Sequence, residues 1–257
     1  MSTTDAVSLV VPSRFAGPPG SANGGWVAGR LAELSGLGGL GRAVEVTLRH
    51  PPPLDVDLDV RTDDQGVTTL GFGGAVIAEA RGAELTGELA APVDLASAQA
   101  AMGAYAGLLD HPFPGCFVCG TDRPAPDGLG LRPGRLPDRP DTVATAWLPD
   151  PSVAGADGVL PAALVWAALD CPGGWSSDLV GRPMVLGRIT AAVDALPAAG
   201  DPCVVVGRHL RDEGRKTFTT STAYDGDGRV LGRAEALWIA LRTPDPDRPD
   251  TPARNPL

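Results

Sequence analysis

The sequence lacks both a long apolar run and an excess of positive charge. No apolar stretch approaches the roughly 20 residues of a membrane-spanning helix, so we expect no membrane span. The formal net charge is −10 at pH 7, which argues against nucleic acid as a bulk partner. The first residues carry no basic segment ahead of an apolar one, so no secretory signal is predicted. Together these absences predict a cytoplasmic protein.

The chain is instead rich in glycine, proline and apolar residues. It contains 34 Gly and 26 Pro among 257 residues, and 43% of its residues are hydrophobic. The glycines and prolines fall between patterned segments, so we interpret them as loops of a folded protein. A length of 257 residues is natural for two domains. Abundant Ala, Gly, Pro and Arg with little Lys is typical of a GC-rich bacterial genome.

One pattern, a helix followed by four strands, occurs twice. Apolar residues at helical spacing predict a helix over 21–34 and a second over 158–170, the latter ended by the sequence CPGGW. Alternation of apolar and polar residues predicts the strands. In the first copy they cover 43–50, 54–62, 66–74 and 75–85. In the second copy a strand at 141–149 precedes the helix, and the others cover 184–193, 202–212, 216–225 and 229–241.

A repeat of this length indicates a duplicated domain rather than a solenoid. One helix ahead of a run of antiparallel strands predicts an α+β unit in which the sheet wraps the helix. We place the first unit at 8–90, a linker helix and a loop at 91–140, the second unit at 141–242, and a disordered tail at 243–257.

This order of elements resembles the double hotdog fold of acyl-CoA thioesterases and their relatives. Many of these proteins begin the central helix with His-Gly-Gly and carry an Asp or Glu later in the same helix. Here the first helix begins with Asn23-Gly24-Gly25, and the second ends in WAALD, which matches the acidic ending with Asp170. The resemblance implies two tandem hotdog units that form a pseudodimer within one chain, and a thioester hydrolase.

The resemblance also implies roles for these residues. The N–H groups at a helix start bind a carbonyl oxygen well, and glycine allows the oxygen to come close. We therefore predict that Asn23, Gly24 and Gly25 polarise a thioester carbonyl. Asp170, on the opposing helix, would act as the general base.

Simpler structural interpretations of the same residues stay open. Asn23 could be a plain helix cap, and the glycine pair could allow two helices to pack closely. Asp170 could bind a neighbouring loop. Glu33 matches the acidic residue of the first helix only with an offset, and an ion pair with Arg30 is the favoured interpretation.

Coenzyme A would enter as part of the substrate, and we predict no cofactor of the protein's own. Candidate contacts for its phosphates are Arg215 and Lys216 at a strand entrance and Arg123 in the loop. A monomer or a homodimer is compatible with a double unit. The alternative function is a non-catalytic binder of acyl-CoA or a lipid-like ligand, because Asn23 replaces the family's histidine. A dehydratase is less favoured, since no histidine falls on a central helix.

The loop sequence CFVCG resembles half of a zinc knuckle. A structural zinc site needs four ligands, and a second CxxC is absent. We therefore predict no metal, with reduced thiols in a loop that packs over the junction of the two units. A zinc site made by His111, Cys116, Cys119 and one distant residue remains as the alternative.

Overall fold

The structure, a computed structural model, describes residues 7–123 and 126–242, so the predicted tail at 243–257 lies outside it. The described residues form three α-helices and eleven strands. The helices are α1 (Gly24–Leu34), α2 (Leu95–Ala101) and α3 (Ala162–Trp175). None of them is long and apolar enough to cross a membrane. The strands are β1 (Val7–Val10), β2 (Val44–Leu48), β3 (Asp57–Thr62), β4 (Thr68–Phe72), β5 (Ala75–Gly82), β6 (Gly134–Leu136), β7 (Arg139–Trp147), β8 (Met184–Val193), β9 (Cys203–Glu213), β10 (Lys216–Asp225) and β11 (Val230–Ala240).

All eleven strands belong to one antiparallel sheet. The strand order is β1-β3-β4-β5-β2-β8-β11-β10-β9-β7-β6. Read outward from the middle, β2-β5-β4-β3-β1 on one side corresponds to β8-β11-β10-β9-β7 on the other. The two sides meet where β2 pairs with β8, with Val46 opposite Ile189. Strands β1 and β6 are additions to the predicted set.

Helices α1 and α3 pack against the sheet and against each other. Their closest approach is at two glycines of α1, one turn apart. A Cβ atom on Gly25 would lie 2.8 Å from the Trp166 carbonyl oxygen, and one on Gly29 would lie 2.7 Å from Ala163 Cα. Only glycine fits at such distances, so the interpretation of Gly25 as a helix-packing residue is confirmed.

The predicted end of the second helix is wrong. Helix α3 continues through CPGGW to Trp175, and every residue from Ala163 to Trp175 is buried. A helix buried on all sides is stabilised mainly by packing, which outweighs the poor helix propensity of Pro172 and its glycine neighbours. The glycines also have a packing role, since a Cβ on Gly174 would lie 2.9 Å from the Trp238 ring.

Candidate functional site

Asn23 caps α1 and also links it to α3. Its Oδ1 accepts a hydrogen bond from the Trp26 N–H at 2.8 Å, which is the interaction of a good N-cap residue. Its Nδ2 donates to Asp170 Oδ2 at 3.0 Å. The predicted cap is therefore confirmed, and the side chain has a second role at the contact between the two helices.

Asp170 is a buried carboxyl group at the start of α1. Its exposed fraction is 3%. Its Oδ2 accepts the Gly25 N–H at 3.0 Å in addition to the Asn23 amide. Its Oδ1 is buried and has no hydrogen-bond partner among the described residues. One oxygen is thus held in place by α1, and the other is an unused acceptor within the described part of the chain.

Burial raises the pKa of Asp170 to about 7. The hydrogen bond from the Gly25 N–H opposes this rise, the nearby Cys116 sulfur adds to it, and the Asn23 amide opposes it. A carboxyl group in this range exchanges its proton near neutral pH, as a general acid or base must.

The two glycines at the helix start have different surroundings. The Gly25 N–H is engaged by Asp170. The Gly24 N–H has no acceptor among the hydrogen bonds of the described residues. Gly24 also lines a cavity, whereas Gly25 does not. The Gly24 N–H is therefore the helix-start donor that a ligand can reach.

The cavity beside Gly24 has a volume of about 500 Å³. Its walls come from the start of α1, the middle of α3, strands β8 and β11, and the loops before α1 and around the CxxC. Most of the wall is apolar, and its larger side chains include Leu48, Phe113, Met184, Leu186 and Trp238. Asn23, Asp170 and His50 are among the polar ones. A mostly apolar cavity with a few convergent polar groups is the usual form of a small-molecule site.

Three cysteines line the same cavity, which the sequence did not predict. Cys116 and Cys119 come from the loop, and Cys171 follows Asp170 in α3. The three sulfur atoms lie within 4.8 Å of one another. The sequence carries no local signal for this cluster, because Cys171 is 52 residues from Cys119 and adjacent helical residues such as Asp170 and Cys171 point in different directions from the helix axis. His111 does not join them: its Nε2 contacts the Cys119 carbonyl oxygen and its Nδ1 accepts the Phe113 N–H.

The three thiols differ in pKa. The pKa of Cys116 is lowered because the Cys119 and Cys171 thiols and two backbone N–H groups donate to its sulfur. The pKa of Cys119 is raised by burial and by the Cys116 sulfur. The pKa of Cys171 is raised by the Cys116 and Cys119 thiols and by burial.

The predicted contacts for coenzyme A lie away from this cavity. Arg215 donates two hydrogen bonds to the Ala240 carbonyl oxygen. Arg123 donates to the Gly115 carbonyl oxygen and pairs with Asp127. Neither residue lines the cavity, and neither does Lys216, which is exposed at the start of β10. Arg49 does line it, and Arg49 also pairs with Glu79.

Glu33 has a role at the start of α3. It forms the predicted ion pair with Arg30. Its other oxygen, Oε1, accepts the Ala163 N–H at 3.1 Å. Each central helix thus has its second N–H bound by a carboxylate of the other helix, Asp170 from the middle of α3 and Glu33 from the last turn of α1. A smaller cavity of about 340 Å³ lies beside Glu33. There α3 starts with Pro161 and Ala162 in place of Asn23 and Gly24.

Comparison with solved structures finds the same architecture over nearly the whole chain. A candidate thioesterase II from Thermobifida fusca YX gives a TM-score of 0.62 at 15% identity, covering 91% of this chain and 92% of that one. The tesB protein of Mycobacterium avium subspecies paratuberculosis gives 0.59 at 13% identity, covering 92% and 93%. A hot dog fold protein of unknown function from Alicyclobacillus acidocaldarius gives 0.58 at 16%, covering 95% and 96%.

At these identities the likeness shows the fold, so the hotdog fold expected from the sequence is confirmed. No family model and no curated protein matches the chain. The roles of the individual site residues stay predictions.

Proposed function

We propose that the protein hydrolyses an acyl thioester, such as an acyl-CoA, in the cavity between the start of α1 and the middle of α3. We also propose that the two halves of the sheet are two hotdog units, paired through β2 and β8 as a pseudodimer within the chain. Asn23 and Gly24 would then come from one unit and Asp170 from the other. The site would be composite and would exist once per chain.

The observation that carries this proposal is the state of Asp170. It is a buried carboxyl group with one oxygen fixed by Asn23 and Gly25 and the other without a partner among the described residues. It lies on the wall of an apolar cavity, beside a helix start whose Gly24 N–H is unengaged by the described residues. A base and an N–H donor at one end of an apolar cavity suit a thioester whose acyl chain fills the rest.

In the proposed reaction, Asp170 Oδ1 accepts a proton from a water molecule as the water oxygen attacks the thioester carbonyl carbon. The carbonyl oxygen becomes an oxyanion and accepts the Gly24 N–H at the positive end of the α1 dipole. The intermediate then collapses, the carbon–sulfur bond breaks, and the proton on Asp170 passes to the leaving thiolate. The products are a carboxylic acid and a free thiol, and Asp170 returns to its starting state.

A second candidate function is binding of an acyl-CoA or lipid-like ligand without hydrolysis. The observation in its favour is that the Gly25 N–H and one Asp170 oxygen satisfy each other. The Asp170 carboxyl would then be a structural link between the two helices, and the cavity would only hold the ligand.

A thiol-release assay over short, long and aromatic acyl-CoAs separates the two functions. We expect hydrolysis of at least one class, and a fall in kcat of about 10²–10⁴-fold in Asp170→Asn, because the general base is lost. Asparagine preserves the shape of the side chain, so ligand binding should persist. Glu33→Gln is the matched control, since it changes the corresponding carboxylate of the other helix and should retain hydrolysis.

Full activity in Asp170→Asn would contradict the assignment of the base. Ligand binding without thiol release in the unmodified protein would favour the binding function.

A further inference from the structure

The three cavity cysteines form a buried cluster built from two separate parts of the chain. Cys116 Sγ and Cys171 Sγ are 3.7 Å apart, and Cys119 Sγ lies within 4.8 Å of both. Tetrahedral zinc with zinc–sulfur bonds of about 2.3 Å places its ligand sulfurs about 3.8 Å apart. The cluster therefore has close to the spacing that three thiolate ligands of one zinc ion require. A disulfide would need a sulfur–sulfur distance of about 2.05 Å, much shorter than the 3.7 Å between Cys116 and Cys171.

The turn that carries Cys116 and Cys119 is tightly closed. The Gly120 N–H donates to the Cys116 carbonyl oxygen at 2.9 Å. A Cβ on Gly120 would lie 2.3 Å from the Pro114 carbonyl oxygen, so glycine is required there. This closed turn fixes the two loop cysteines relative to each other. Metals bind cysteine as the thiolate.

Side-chain donors also point at the cluster. Trp175 Nε1 donates to Cys119 Sγ at 3.4 Å, and Asn23 Nδ2 lies 3.9 Å from Cys116 Sγ. Outer donors of this kind orient and tune metal ligands. Tyr105 fixes the loop as well, because its hydroxyl donates to the Cys119 carbonyl oxygen at 2.8 Å.

We propose that Cys116, Cys119 and Cys171 bind one zinc ion through three thiolates. Because all three cysteines line the cavity, the fourth coordination position would open into it and take a water molecule or a ligand atom. The ion would tie the CxxC loop to α3 beside Asp170. Zinc suits this donor set because thiolates favour soft and borderline ions. This site differs from the sequence prediction of no metal, and also from the alternative zinc site, in which His111 was a ligand.

Metal analysis of the full chain tests the site directly. The protein is purified without a histidine tag and without chelators, and its elemental content is measured. We expect close to one zinc per chain in the unmodified protein and in Cys203→Ser, because Cys203 is a buried cysteine outside the cluster. Cys116→Ser, Cys119→Ser and Cys171→Ser should each lose most of the zinc.

Cobalt reconstitution of the unmodified chain keeps the test decisive if those serine variants fail to fold. A thiolate-to-cobalt charge-transfer absorption is expected, and its absence overturns the site. The site is also overturned by metal-free protein with four free thiols, by a disulfide among the three cysteines, or by copper or iron in place of zinc. Each readout is independent of thioester hydrolysis, so failure of the proposed function leaves it unaffected.

Trp175→Phe tests the donor to Cys119. Loss of its N–H should weaken zinc binding by about tenfold, at the lower end of the usual effect of outer-shell changes. The matched control is Trp147→Phe, because Trp147 is buried and its Nε1 has no partner among the described residues. Zinc affinity is measured by competition with a chromophoric chelator. Equal affinity in the two variants would contradict a role for the Trp175 N–H at the metal site.

Discussion

At the scale of single residues, the neighbouring glycines of α1 have different reasons to lack a side chain. A Cβ on Gly25 would lie 2.5 Å from Asp170 Cβ, inside the contact between two buried helices. A Cβ on Gly24 would meet the methyl groups of Leu48 and Leu186 at 3.0 and 3.1 Å, and these side chains can move. Gly25 is thus required by packing, whereas Gly24 lines the cavity and is not held to glycine by a rigid neighbour.

We predict that Gly25→Ala lowers the free energy of unfolding by about 1–3 kcal/mol, because the added methyl group overpacks the helix contact. Gly24→Ala should change it by less than about 1 kcal/mol, since alanine also favours the helix. Urea unfolding measures both. Gly24→Ala should still reduce thiol release, because its methyl group stands beside the N–H that would bind the carbonyl. Equal destabilisation by the two variants would contradict this division of roles.

Arg49 is the candidate that the structure offers for a contact with coenzyme A. It lines the cavity, whereas Lys216 lies elsewhere. We predict that Arg49→Ala raises KM for an acyl-CoA by about threefold to tenfold, with kcat unchanged, because a half-exposed ion pair is screened by solvent and contributes about 1 kcal/mol to binding. Lys216→Ala is the control with unchanged KM. A larger rise in KM for Lys216→Ala would restore the contact expected from the sequence.

At the scale of elements, each central helix has a side-chain carboxylate that accepts a backbone N–H at the start of the other helix. Asp170 of α3 binds the Gly25 N–H of α1, and Glu33 of α1 binds the Ala163 N–H of α3. The two carboxylates differ in burial, because Asp170 is 3% exposed and the Glu33 side chain is 29% exposed. The buried one faces the larger cavity and the partly exposed one pairs with Arg30, so we assign chemistry to the first and helix capping to the second.

Glu33→Ala should therefore lower the free energy of unfolding by about 1 kcal/mol, the usual effect of losing a helix cap. Glu33→Gln keeps an oxygen that can accept the Ala163 N–H, so most of the stability should be retained. Thermal unfolding of the two variants measures the difference. If glutamine is as damaging as alanine, the Arg30 ion pair rather than the cap is the source of the stability.

The helices also show where prediction from the sequence succeeds and fails. The start of α1 follows from Asn23 and the apolar spacing behind it, which are local signals. The end of α3 does not follow, because Pro172 and the glycines after it look like a stop signal until the surrounding sheet is known. Cys171 and the CxxC loop are far apart in the sequence, so no local pattern predicts that they lie together.

At the scale of the whole molecule, the candidate site depends on contacts between distant parts of the sequence. In the chain, Asn23 and Gly24 come before β2, and Asp170 comes before β8; these two strands pair at the seam between the halves. Cys116 lies in the loop that connects the halves. The repeat of one helix and four strands predicted the α+β class, and the resemblance to hotdog thioesterases implied the hotdog fold. The repeat did not predict which strands pair at the seam, because both copies carry similar apolar strands. The full site therefore became visible only in the structure.

The seam predicts that the two halves unfold together. Ile189 of β8 is fully buried and is paired with both Val46 of β2 and Ala236 of β11, so it contributes to the core on both sides. We predict that Ile189→Ala lowers the free energy of unfolding by about 2–5 kcal/mol. The transition should remain single, with the same midpoint by far-UV circular dichroism and by tryptophan fluorescence, because one continuous sheet and core link the halves.

Leu210→Ala is the matched control, because Leu210 lies on β9 with 41% of its surface exposed. Its effect should stay within about 0.5 kcal/mol, as is usual for surface positions. Two separate transitions in the unmodified protein would mean that each half is stable alone. In that case Ile189→Ala would shift only one of them, and the cavity residues would lose their alignment when the less stable half unfolds. A single shared transition instead means that the alignment of Asp170 with Gly24 persists for as long as the fold does.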